Sequence, residues 1–244
     1  MSEENRGKID LREKGAPVKG EVQTLDRRLY LHLQVFADCA DPRPLVETIK
    51  GSGIEAVLYQ SVSDSKGVGL LTMHEDPRFF VTELADFARR GPFGNLTTEP
   101  RMTMFGRTYS TGREPDLEDW MLRKARRTVR RSDLPWAVWY PLRRKGEFSR
   151  LSGEEQMSIL REHGGLGRAY AENGFALDVR LACHGLDAND NDFIIGLIGS
   201  DLYPLSHLIQ RMRKTRQTSQ YIQQMGPFFT GFALYQSPFA DRSS

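Results

Sequence analysis

Residues 160–193 read LREHGGLGRAYAENGFALDVRLACHGLDANDNDF, and within them a helical period gives way to a strand period. With the preceding LSGEEQMSI, the apolar or small positions Met157, Leu160, His163/Gly164, Gly167 and Tyr170 fall on one stripe of period 3.6. Ser152 and Glu155 stand at capping-box spacing, so the pattern predicts a helix over 152–172. DVRLACHGL then alternates as a strand, and DFIIGLIGS follows as another.

Working outward, WAVWYPLRR before the helix reads as a strand. PLSHLIQRMRKTRQTSQYIQ and FFTGFALYQ close the set as a helix and a strand. Upstream, RLYLHLQVF sets Leu29, Leu31, Leu33 and Val35 against Tyr30, His32 and Gln34, a half-buried strand. A helix near Pro44–Lys50, strands IEAVLYQSV and VGLLTMH, a helix PRFFVTELADFARR and a strand RMTMFGRTYS complete this half. The order β-α-β-β-α-β therefore occurs twice, which predicts an α+β chain of two ferredoxin-like halves in tandem. The expected division is a flexible N-terminal arm (1–24), a first half (25–112), a charged connection (113–134) and a second half (135–238).

The chain has 244 residues, 39% apolar and 27% charged, enough for a sizeable core. Its polar first twenty residues lack a secretory h-region, and FIIGLIG is too short to span a membrane. Cys39 and Cys183 are the only cysteines and show no zinc spacing, so two buried thiols in a cytoplasmic protein are expected. The net charge is +2, and the basic RKARRTVRR (123–131) follows the acidic REPDLEDW. A solvated connection, with no nucleic-acid partner, is the expectation.

An inward His163 beside Gly164, Gly165 and Gly167 is costly, since a helical glycine loses up to about 1 kcal/mol against alanine. One explanation is a broad ligand lying against the helix. A flat macrocycle whose iron takes the imidazole is such a ligand. The alternative is a satisfied core histidine where the helix ends early at HGG.

LREHGGLGRAY, then GLDANDNDF and MRKTRQTSQYIQQMGPFFTG, resembles the chlorite dismutase-like superfamily from about Trp136 to Gly231. That superfamily includes the chlorite dismutases and the coproheme decarboxylases of bacterial haem synthesis. The resemblance implies a dimeric α+β barrel of ferredoxin-like halves, often assembled as a homopentamer, and a haem, either iron-coproporphyrin or haem b. It implies His163 as the iron ligand, with Gly164, Gly167 and Arg168 matching its motif, and His184 as structural. Arg180 takes the distal place, where a guanidinium can hold chlorite or a peroxide bond. An arginine solvated or paired with Asp178 is the alternative.

Tyr140 in WYPLRR matches the radical-forming tyrosine of the decarboxylases, with Leu142 and Arg144 in place of a methionine and a lysine. Arg144 can still fork onto a carboxylate. Gln217 stands where chlorite dismutases carry a glutamate behind the ligand, and a neutral amide enriches the imidazole less. Ser219 matches a propionate contact. Met212 lies on the stripe Leu205, Leu208/Ile209, Met212 and Ser219/Ile222, flanked by Arg211, Arg213, Lys214 and Arg216. The implied activity is oxidative decarboxylation of coproheme to haem b with peroxide. A chlorite dismutase or peroxidase holding haem b, and a haem-binding protein without turnover, are the alternatives.

Overall fold

Alternating apolar residues along several short segments are buried on both faces, which requires a sheet with a core on either side. The computed structural model describes residues 9–239. The strands are β1 (Glu13–Val18), β2 (Glu21–Leu25), β3 (Tyr30–Ala37), β4 (Ala56–Ser61), β5 (Val68–His74) and β6 (Thr97–Thr98). They continue with β7 (Met104–Arg107), β8 (Trp136–Arg144), β9 (Leu177–Ala182), β10 (Phe193–Gly199), β11 (Ile222–Met225) and β12 (Phe229–Gln236). The helices are α1 (Arg43–Ser52), α2 (Arg78–Val81), α3 (Glu83–Arg89) and α4 (Lys124–Val129), then α5 (Gly146–Arg150), α6 (Gly153–Glu172), α7 (Leu202–Met212) and α8 (Arg216–Tyr221).

The large antiparallel sheet runs β10-β9-β7-β3-β5-β4-β12-β8, and β8 pairs back onto β10 over seven residues, from Leu142–Phe193 to Trp136–Gly199. The sheet therefore closes on itself, and β11 extends it from β8. Inside the ring lie Leu31, Val57, Leu71, Trp139, Leu181, Ile198 and Phe229. Outside, one apolar cluster gathers Phe36, Leu58 and Leu70 with Leu45 and Ile49 of α1 and Leu84 of α3. Another joins Val138, Tyr140 and Leu197 to Tyr170 of α6 and Leu205 and Leu208 of α7. Two glycines let large rings fill the interior. A Cβ on Gly69 would stand 2.5 Å from the Phe229 ring, and one on Gly196 would stand 2.5 Å from Trp139. No helix among the described residues is long and apolar enough to cross a membrane.

Several expectations are revised. Residues 13–25, read as part of a loose arm, form the β1–β2 hairpin. It docks through Ala16 N–H to the Glu114 carbonyl at 2.9 Å and through the Gln23 amide; residues 1–8 lie outside the described part. The charged connection is not solvated throughout. It holds a π-helical turn (119–123) and α4, with Met121, Leu122, Ala125 and Val129 buried. Its acidic and basic runs do neutralise each other at Asp119–Arg127, 2.9 Å. Its inner cations pair instead with Glu55, Arg126 at 2.8 Å and Arg130 at 2.9 Å. The second helix breaks at Thr82, and the last helix breaks at 213–215 before its end becomes β11.

Candidate functional site

On β8, β9 and β10 every second side chain faces the layer of α6 and α7. The register sets Tyr140 opposite Ile195 and Ile195 opposite Arg180, so these three form one row across the outer face. Leu142, Phe193 and Ala182 form the next row. Facing them, α6 begins at the expected capping box. Ser152 Oγ accepts from Glu155 N–H at 3.3 Å, and the Glu155 carboxylate accepts from Ser152 N–H at 3.0 Å. The buried line of α6 is Ile159, His163, Leu166/Gly167 and Tyr170, shifted from the predicted stripe. Leu160 is exposed, as are Gly164 and Gly165, whose added Cβ atoms would touch nothing within 4 Å. Gly167 is the one of the three that meets another element: its Cβ would stand 3.4 Å from the Met212 methyl.

His163 is half-buried, with Nδ1 at 3.1 Å from Thr215 Oγ1. The Thr215 hydroxyl donates to the Met212 carbonyl at 2.8 Å, so its oxygen accepts from Nδ1–H and the imidazole lone pair is left on Nε2. Burial, with the Arg144 and Arg180 charges near it, pushes His163 down to about 4. At neutral pH the ring is uncharged and a competent metal ligand. Thr215, not Gln217, backs the ring, because the break after α7 brings 215 to the start of α8. Gln217 is buried, and its Oε1 has no partner.

Arg144 lies over the rings of Phe148 (4.4 Å) and Phe193 (4.8 Å). Its Nε is buried with no hydrogen-bond partner, and burial pushes the guanidinium pKa down. A buried N–H without an acceptor is costly, and one carried by a cation is best met by an anion. Tyr140 is buried and stacks on Phe228 at 4.7 Å, and burial pushes its phenol up. Tyr109 joins the site from the N-terminal half. Its ring is 5.6 Å from Phe193, and its phenol is raised by burial against the pull of Arg180 and Arg144. Arg180 pairs with Asp178 at 2.8 Å. His184 is exposed and holds Asp192 at 3.2 Å.

The fold thus brings together Tyr140, Arg144, His163, Gly167, Arg180 and Met212. It does not bring in Gly164, which faces outward, or Ser219, which is exposed and donates its hydroxyl to the Thr215 carbonyl at 2.8 Å. Thr215 and Tyr109 carried no signal in the sequence, since each acts through a tertiary neighbour. Between helix and sheet the lining is apolar and only half-buried: Leu166, Phe193, Ile195, Met212, Ile222 and Phe228. Among the described residues no three His, Cys, Asp or Glu side chains gather to hold a bare ion. This half-buried apolar lining, with His163 and Arg144 at its edge, is of a kind that suits a flat apolar molecule bearing a metal and carboxylates.

The family model described as chlorite dismutase matches residues 70–234. Among solved structures, the chain is similar to one described as a novel haem-binding protein from Thermus thermophilus. The two are 21% identical over 87% of this chain and 93% of the other, with a TM-score of 0.67. It is also similar to chlorite dismutase from Candidatus Nitrospira defluvii in complex with imidazole, at 17% identity over 86% and 92% of the two chains and a TM-score of 0.64. No curated protein sequence matches it.

Proposed function

The chain belongs to the chlorite dismutase family, and from that premise we propose that it is a haem-dependent oxidoreductase that decarboxylates iron-coproporphyrin to haem b with peroxide. The residues fit the group. His163 Nε2 would ligate the iron, Gly167 and Met212 would lie under the ring on the helix side, and Arg144 would take a propionate. Bound there, the haem iron supplies the redox chemistry that activates peroxide.

The observation that carries the reading is the pairing of Tyr140 and Arg144 on one face of β8, with the Arg144 Nε buried and unpartnered. A carboxylate held by Arg144 would sit on the same face of β8 as the Tyr140 hydroxyl. Burial disfavours the phenolate, so Tyr140 would give up its proton and electron together, peroxide being the oxidant, and its oxygen would then take a hydrogen atom from the β-carbon of the propionate. Two of the four propionates would each lose CO2, one proton and two electrons in this way, one peroxide taking up the electrons and becoming water, and a vinyl group would remain at each. Thr215 keeps the His163 proton on Nδ1, and no carboxylate takes it, so the imidazole is less electron-donating than one backed by glutamate.

A peroxidase or chlorite dismutase reading is favoured by Arg180, which shares Tyr140's row across Ile195. We read the closed sheet as two ferredoxin-like halves and the protein as a homo-oligomer, in the pentameric manner of its family. The test is to add iron-coproporphyrin and peroxide to wild-type and Tyr140→Phe protein and to follow the porphyrin mass. Wild type should lose CO2 in successive steps, whereas the variant should bind coproheme and retain every carboxylate. Oxygen release from chlorite without any decarboxylation would overturn the reading.

A further inference from the structure

Arg180 is not a free cation. Its Nε is 2.8 Å from Asp178 Oδ2, and its guanidinium carbon is 5.0 Å from the Trp120 ring centroid. Trp120 lies in the π-helical turn 119–123, a kind of irregularity frequent at functional sites. Lys124 follows it, with Nζ 3.9 Å from the same ring and 3.9 Å from Asp178 Oδ1. Two cations thus share one carboxylate and one aromatic ring. Asp178 stands two residues before Arg180, on the same face of β9 and opposite Leu197 of β10. The segment that carries Trp120 and Lys124 precedes β8 in the chain and packs beside this end of β9.

A guanidinium facing a haem attracts anions, and a carboxylate in contact with it opposes them. An incoming anion must share the cation with Asp178 and also meets that residue's negative charge. A neutral ligand meets neither cost. We propose that Asp178 sets which oxidants the cleft accepts: by engaging Arg180 against Trp120 it disfavours anionic oxidants and leaves the site to neutral ones such as hydrogen peroxide. This rests on the haem reading above, in which Arg180 faces the bound porphyrin. Asp178 is a positioning residue, acting through the guanidinium of Arg180.

The test uses protein loaded with haem b and reads dissociation constants from the absorption spectrum, with azide as the anionic probe and imidazole as the neutral one. Asp178→Asn keeps the shape of a side chain that is 39% exposed, and Asp178→Ser is a second variant should the first misfold. Azide should bind about tenfold tighter to either variant, the scale of one carboxylate charge at this range. Imidazole binding should be unchanged. In the double variant Asp178→Asn, Arg180→Gln the gain for azide should vanish. Unchanged azide affinity, an equal change for both probes, or a gain that survives without Arg180 would each overturn the proposal while leaving the haem reading intact. Wild-type protein that binds no haem would overturn both.

Discussion

At His163 the neutral ring, its Nδ1 proton and its free Nε2 follow from burial and one threonine hydroxyl. His163→Ala should therefore abolish axial ligation of an added iron porphyrin, while His184→Ala, at an exposed position, should retain it. Ferric absorption spectra of the two variants check this, and a collapse only in the His184 variant would reassign the ligand. His32 is also pushed down by burial to about 4, with an unpartnered Nδ1 between Phe80 and Phe105. The ordinary histidine value is near 6.5. Between about 6.5 and 4 the unfolded chain takes protons at these two rings that the folded chain refuses. Stability is therefore complete above that window and falls as pH drops through it, by up to about 1.4 kcal/mol per pH unit for each ring. His32→Phe keeps an aromatic ring and removes the titration, so urea midpoints measured from pH 7 to 4 should fall less steeply. An unchanged slope would mean that His32 already carries its proton in the fold.

The α6 helix carries the strongest local signals and one misread pattern. Its capping box was legible because both partners lie within four residues of each other. Which glycine faces the cleft was not, because Met157, Leu160 and Gly164 fit one helical stripe about as well as Ile159, His163 and Leu166 fit another. Gly165→Ala puts a methyl into open solvent and should stabilise the apoprotein by up to about 1 kcal/mol through helix propensity alone. Its porphyrin affinity should not change. Gly167→Ala presses on the Met212 methyl at 3.4 Å and should weaken porphyrin binding. Chemical denaturation and porphyrin titration of the pair separate propensity from contact; equal porphyrin affinities would place Gly167 outside the cleft.

Closure of the whole sheet depends on large rings meeting backbone without side chains. Gly196 lies beside Trp139 across the β8–β10 pairing that completes the ring. Gly196→Ala should cost roughly 1–3 kcal/mol by overpacking, and Trp139→Ala roughly 3–5 kcal/mol by leaving a cavity. Because the two groups touch, the double variant should be less destabilised than the sum. Strict additivity in denaturant unfolding would show that the glycine is not there for the tryptophan.

Strand alternation, the two rounds of β-α-β-β-α-β and the capping box of α6 were legible in the sequence alone, whereas roles for His163, Tyr140 and Arg180 were expectations drawn from the family resemblance. The first three rest on a period or a cap contained within a few neighbouring residues. The β1–β2 hairpin and the buried face of 117–129 were decided only in three dimensions. Leu117, Met121, Leu122, Ala125 and Val129 have helical spacing, but they are hidden among charges whose partner Glu55 lies some seventy residues away. The hydrogen bond from His163 to Thr215 spans fifty-two positions and depends on a helix break. Such pairings have no period of their own, because they are set by which surfaces the closed sheet brings into contact.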